Sequence, residues 1–211
     1  MRRLAAYVSG PHSGLPPEVQ AAFQERCELI QEVCEDERYT CYCPHQHATL
    51  DEAEVAPREI YRNAADAIGS AELLIADCSL PAAGVGAACQ IANDRDIPVL
   101  LVAQQGTVVS RMIRGLPAAV KAGGEADVVR FTDDAELGHR LRDRLVALKE
   151  PLMMNRERRS AEGISLEALR EYARTRHIPY ARYQRLRSLV AAAVGGNIPR
   201  SAEDWEALDI A

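Results

Sequence analysis

Several stretches of this 211-residue chain carry residue types that can do chemistry. The first is Cys41-Tyr42-Cys43-Pro44-His45-Gln46-His47, in which two thiols and two imidazoles alternate with other residues. On a strand Cys41 and Cys43 would share one face, with His45 and His47 in the loop that follows. Their spacing fits no common zinc pattern, so the expectation is buried thiols ahead of a polar loop, with no metal. The second stretch runs through Asp77-Cys78-Ser79 to Pro81-Ala82-Ala83-Gly84-Val85-Gly86. Glycines at a helix start let a ligand approach the backbone, and the free N–H groups there favour phosphate or another anion. The bland alternatives are a tight turn for Gly84 and Gly86 and loop bonding for Asp77. A third stretch, Gly10-Pro11-His12-Ser13-Gly14, offers a hydroxyl and an imidazole that can meet phosphate or a base. Lastly, Arg170 and Arg174 lie at i, i+4 and Arg182 and Arg185 at i, i+3, a pattern that can contact nucleic-acid phosphates.

Alternating apolar and helical patterns must position these groups. Leu4–Ser9 reads as a short strand, and helical spacing follows over Pro16–Cys34. Tyr39–Cys43 reads as a second strand and Pro57–Ile68 as a helix with proline in its first turn. Leu73–Asp77 is a buried strand, followed by a loop over Cys78–Gly84 and a helix from about Gly86 to Asn93. Ile97–Ala103 is a fourth strand, with short helices expected near Val109–Ile113 and Pro117–Lys121. Asp127–Phe131 is a fifth, and Asp133–Leu148 an amphipathic helix capped by Thr132 or Asp133. Strands separated by helices imply an α/β fold: a five-stranded parallel sheet with helices on both faces. Ligands of such sheets bind beyond the carboxyl ends of the strands. This singles out the loops Gly10–Leu15, Pro44–Thr49 and Cys78–Gly86.

Residues 151–163 are polar and lack apolar periodicity, which reads as a linker between a domain over 1–150 and a helical module over 164–211. The module combines helices at Ser165–Arg176 and Tyr180–Val194 with a capping box, Ser201 to Asp204, ahead of Trp205–Ile210. Hydrophobic residues at 47% and charged residues at 27% exclude a mainly disordered chain. The apolar runs are too short to cross a bilayer, and the start turns polar too soon for a secretion signal. The expectation is therefore a cytoplasmic protein whose six cysteines are reduced. Net charge is −8 over 1–150 and +2 over 151–211, so general electrostatic attraction to nucleic acid is open to the module and not to the main domain.

In order along the chain stand Tyr7-Val-Ser-Gly-Pro11, Ile60-Tyr61-Arg62, Ala71-Glu-Leu-Leu-Ile-Ala-Asp77-Cys-Ser79-Leu-Pro81, Gly84-Val85-Gly86 and Ile97-Pro98-Val99-Leu100-Leu101. This series resembles the nucleoside 2-deoxyribosyltransferase-like superfamily, which includes deoxynucleoside-monophosphate and cytidylate N-glycosidases. The resemblance covers roughly Leu4–Ala103. It implies a Rossmann-like, flavodoxin-like fold, a homodimer or larger homo-oligomer, no cofactor, and cleavage or transfer of the base–sugar bond. The family's glutamate nucleophile falls at Ala88, its helix-two aspartate at Ala64 and its phosphate-binding serine at Ala82. A methyl group can serve none of these roles.

Nearby substitutes are poorly placed. Asp66 is turned about 200° from position 64 and Cys89 about 100° from position 88, which leaves Asp77 as the best remaining carboxylate. Tyr61 is expected to pack, and Arg62 could neutralise a phosphate. Three readings follow. The chain binds a nucleoside or nucleotide at Gly10, His12, Ser13, His45, His47, Ser79, Gly84, Val85 and Gly86 without catalysis. Alternatively it is an N-glycosidase or deoxyribosyltransferase, either deliberately inactivated at Ala88 or working through Asp77 or water. The third is a ligand-sensing regulator that holds DNA through Arg170, Arg174, Arg182 and Arg185.

Overall fold

A computed structural model of the chain describes residues 3–11, 15–47, 55–122, 125–179, 183, 185, 186, 199 and 201–210. They divide into two compact units, Met1–Leu152 and Met153–Ala211.

The first unit is built on β1 (Leu4–Ser9), β2 (Tyr39–Tyr42), β3 (Leu73–Asp77), β4 (Val99–Gln104) and β7 (Val128–Phe131). They form one all-parallel sheet in the order β2-β1-β3-β4-β7. This is the flavodoxin-like order of a doubly wound sheet, reversing between β1 and β3. All residues of β3, and Val99–Ala103 of β4, are buried, as central strands covered on both faces must be. Leu74, Ala76, Val99 and Leu101 face α3 (Pro57–Gly69) and α4 (Ala83–Asn93), where they join Ile68, Val85, Ala88, Cys89 and Ala92 in one apolar cluster. On the opposite face lie α1 (Pro17–Asp36) and the part of α6 (Asp134–Arg176) that belongs to this unit. Gly138 of α6 sits close to Leu29 and Val33 of α1, and the Tyr39 hydroxyl donates to the Leu145 carbonyl at 2.8 Å. Asp133 caps α6 by accepting the Glu136 N–H at 2.9 Å, while Glu136 accepts the Thr132 N–H at 2.7 Å. The Thr132 hydroxyl, donating to Glu136 at 2.8 Å, and then the Thr132 N–H hold the Glu136 carboxyl below its usual range.

The structure corrects four expectations. First, α4 begins at Ala83, so Gly84 belongs to its first turn rather than to the loop, and Gly86 lies inside the helix rather than at its start. Their φ angles are not left-handed, and a short Gly-x-Gly can be wound into a helix as readily as into a turn. Second, Pro44–His47 forms a single helical turn, α2, where a loop was expected. Third, the helix expected near Val109–Ile113 is the single turn α5 (Arg111–Arg114), and 117–121 is not helical. Lys121–Ala122 (β5) pairs antiparallel with Glu125–Ala126 (β6), and Ala119 bridges to Val99. Finally, residues 151–163 are helical: α6 continues through Pro151 to Arg176. The Arg, Glu, Met and Leu of this stretch are good helix formers, and one proline removes only one ladder bond. An Arg158–Glu162 pair at i, i+4 lies 2.6 Å apart on this segment.

The second unit buries Leu169, Tyr172, Leu186 and Trp205 in a core of its own. α6 stops at His177, whose φ of 54° lets the Ile178 N–H reach back to the Ala173 carbonyl at 3.1 Å. The expected capping box is present: Ser201 N–H to Asp204 at 3.0 Å, and Asp204 N–H to the Ser201 hydroxyl at 3.1 Å. It opens the C-terminal helix Ala202–Ile210. Most of the helix expected over Tyr180–Val194 lies outside the described residues. No helix among the described residues is long and apolar enough to cross a membrane.

Candidate functional site

The reversal of strand order between β1 and β3 opens a crevice at their carboxyl ends, where doubly wound sheets take their ligands. Two of the expected site residues, Gly10 and Asp77, stand at these ends. Gly10 is buried, and a Cβ there would lie 1.9 Å from the Phe23 ring, so the α1 ring needs a glycine beneath it. His12 and Ser13 lie outside the described residues.

Asp77 ends β3 with no solvent exposure. One carboxylate oxygen receives Arg26 Nη1 at 2.8 Å, and the other receives the Ser79 N–H at 2.8 Å. The guanidinium also stands 5.1 Å from the centre of the Phe131 ring. Both oxygens of Asp77 are therefore engaged, one in loop bonding and one in a buried ion pair. Ser79 is equally committed. Its hydroxyl accepts the Gln104 N–H at 3.1 Å, and its carbonyl accepts the Thr107 hydroxyl at 3.5 Å. The pair Asp77 and Ser79 fastens the loop after β3 to the middle of α1 and the end of β4.

Arg26 is the residue that sequence reasoning missed. It lies three residues after Phe23 and next to Cys27, both on the buried face of α1. A cation interrupting an apolar helical stripe was the available signal. A second missed feature is an aromatic stack across the neighbouring strands β1 and β2. The rings of Tyr7 and Tyr42 lie 5.4 Å apart at an interplanar angle of 17°, with Tyr42 36% exposed. Burial pushes the Tyr7 phenol well up, so it stays protonated.

The start of α4 has no side-chain cap, because its N-cap is Ala82. Cβ atoms built at Gly84 and Gly86 would meet nothing within 4 Å. Packing therefore does not require glycine there, and the bare backbone is open to close approach. Gly86 and Val85 also line an apolar groove of about 660 Å³ between α4 and the segment through Val108, Met112 and Leu116. Gly10, His45, Asp77 and Ser79 are not among its walls.

The three positions where the resemblance implies polar groups differ in setting. Ala88 is 7% exposed within the apolar cluster, while Ala64 and Ala82 are half-buried. Asp66 is exposed on α3. Cys89 is fully buried, and burial pushes its thiol up to about 12; burial, then Asp77, pushes Cys78 up to about 11. Neither thiol is a thiolate near neutral pH. His45 is half-buried in α2, and His47 closes that turn. Tyr61 does not pack as expected. It is 59% exposed, on a stretch of α3 from Pro57 to Asn63 in which every residue, Arg62 included, is exposed. In the second unit Arg174 and Arg185 are exposed, whereas the side chains of Arg170 and Arg182 lie outside the described residues.

No known family model matches the chain. No curated protein matches it. Solved structures similar to it include the CMP N-glycosidase BcmB of Clostridium botulinum, at 15% identity and a TM-score of 0.47, over 65% of this chain and 96% of that one. A 2-deoxyribosyltransferase of Bacillus psychrosaccharolyticus is similar at 16% identity and a TM-score of 0.46, over 64% of this chain and 90% of that one. A conserved protein of Enterococcus faecalis V583 gives 15% identity and a TM-score of 0.44, over 67% and 99%. The α/β assignment rests on the parallel strand order and register of the chain itself.

Proposed function

We propose that the unit Met1–Leu152 binds a nucleoside or nucleotide at the carboxyl edge of its sheet and does not cleave the base–sugar bond. The observation that carries this reading is the state of Asp77. It is the acid that ends β3 at the crevice, and Arg26 and the Ser79 N–H hold both its oxygens away from solvent. Glycosidic cleavage needs a carboxylate free to attack or stabilise the sugar. Binding needs only an anion site and a surface for the base. The uncapped start of α4 and the half-exposed Tyr42 ring suit those two roles.

The test is calorimetric titration with nucleosides and nucleoside monophosphates, followed by chromatography for free base. Saturable binding without base release above the protein-free control is expected. Release at enzymatic rates would overturn the proposal, and so would the absence of binding to every nucleoside and nucleotide. Replacing Gly84 and Gly86 by Ala is expected to separate stability from binding. Each change should stabilise the free protein by about 0.5–1 kcal/mol, because glycine is costly inside a helix. Affinity for the phosphorylated ligand should fall, because each methyl group keeps the ligand off the backbone.

Ala88→Glu tests whether one acid restores chemistry. Position 88 is part of an apolar cluster, so the variant should lose about 1–3 kcal/mol of stability from burying a polar group. It should release no base, because Ala64 and Ala82 still lack their polar groups. Base release by Ala88→Glu would show that the crevice is otherwise intact for catalysis.

A further inference from the structure

The thiols at 41 and 43 do not stand alone. Cys27 and Cys34 are seven residues apart on α1, about two turns, and so share one of its faces. Cys41 and Cys43 share one face of β2 and its end, and that face meets α1. The Sγ atoms of Cys41 and Cys43 are 4.0 Å apart. The Cys43 thiol reaches the Cys27 carbonyl at 3.7 Å, and because α1 returns between the parallel strands β1 and β2 it runs against β2, which sets Cys34 opposite Cys41. Element order across the seam between α1 and β2 thus makes a line of neighbours, Cys34, Cys41, Cys43, Cys27. Among the described residues, no group of His, Cys, Asp and Glu is arranged to hold a metal ion. Cys27, Cys34 and Cys43 are buried, and Cys41 is the one member of the line that meets solvent.

We propose that this line is an oxidisable site of two thiol pairs, Cys34 with Cys41 and Cys27 with Cys43, which close into disulfides between α1 and the edge strand β2 when a small peroxide reaches Cys41. The Cys41 sulfur attacks one peroxide oxygen and the O–O bond breaks. A sulfenic acid forms, and the other oxygen leaves as hydroxide, which takes the thiol proton to become water. The Cys34 sulfur then attacks the sulfenic sulfur, forming the S–S bond and releasing a second water that carries the Cys34 proton. Exchange moves the disulfide inward: Cys43 attacks Cys41 and frees Cys34, and Cys27 attacks Cys43 and frees Cys41. A second peroxide closes Cys34 with Cys41 again. Four thiols and two peroxides give two disulfides and four waters.

Linkage across the two elements is favoured over a lasting Cys41–Cys43 bond. Two steps along a strand separate Cα atoms by about 6.6 Å. That lies near the upper end of the roughly 4.4–6.8 Å that a disulfide accepts. The thiol hydrogen bonds and burial push Cys27 and Cys41 up, so the site answers sustained oxidant rather than acting as a fast peroxidase. Its position joins it to the crevice, because Cys27 follows Arg26 and Cys43 precedes α2.

The experiment is graded hydrogen peroxide on the native protein, then alkylation under denaturing conditions, intact mass and peptide mapping. Of the six thiols, all should be alkylated before oxidation and only Cys78 and Cys89 after it, with Cys34–Cys41 and Cys27–Cys43 linked peptides recovered. Cys41→Ser should keep its remaining thiols free at the dose that oxidises the wild-type chain, with circular dichroism confirming its fold. Cys41 sulfinic acid without cross-linking, a Cys41–Cys43 end product, or equal oxidation of Cys41→Ser would each overturn the proposal. Should Cys41→Ser fail to fold, the wild-type peptide map alone decides.

Discussion

Arg26→Met is expected to lower the stability of the first unit by about 3–5 kcal/mol, the usual cost of removing one partner from a buried ion pair. The reason is asymmetric. Asp77 is fully buried, while the Arg26 side chain keeps 12% exposure. Without the guanidinium, one carboxylate oxygen stays in an apolar setting with no cation, and only the Ser79 N–H remains bonded. The stack of the guanidinium on Phe131 is lost as well. Asp77→Asn should cost less, because an amide oxygen can still accept the Ser79 N–H and Arg26 can turn toward water. Urea titration of both variants, followed by far-UV circular dichroism, checks the order. Equal losses would mean that burial of the charge is not what makes the pair costly to break.

Trp205→Ala is expected to unfold the second unit and leave the first intact. Trp205 is fully buried among Leu169, Tyr172 and Leu186. Truncating a buried Trp to Ala costs about 3–5 kcal/mol. A core in a unit of this size rarely supplies more than about that amount. Trp205 is also the only tryptophan of the chain, so wild-type fluorescence reports the melting of this unit alone. In the variant, amide hydrogen exchange should rise around Leu169, Tyr172 and Leu186 while β3 and β4 stay protected. Retained protection in all of them would show that the unit does not depend on this side chain. Loss of protection in β3 as well would show that the two units melt together.

The parts of the fold legible in the sequence were those with a local cause. Leu73–Asp77 reads directly as a strand because a parallel strand covered on both faces must be a continuous apolar run. The Ser201–Asp204 box reads directly because both its bonds span three residues. Local patterns failed where two structures use the same residues. Gly84 and Gly86 suit a loop as well as a bare helix start. The charged 151–163 stretch suits a linker as well as an exposed helix. The stop of α6 at His177 was also hidden, since a left-handed residue there would ordinarily be glycine.

By itself the sequence determined the alternation of strands and helices, and with it the carboxyl edge of the sheet, where doubly wound folds take their ligands. It also determined that positions 64, 82 and 88 are methyl groups, whatever surrounds them. Only the tertiary structure decided what the remaining polar groups are free to do. Asp77 is engaged by Arg26, a partner 51 residues away, so nothing near it in sequence could reveal the pair. The four thiols come together because a seven-residue repeat on a helix and a two-residue repeat on a strand meet face to face. Each repeat is visible alone, but packing brings them into register, and packing depends on contacts between residues far apart in the chain.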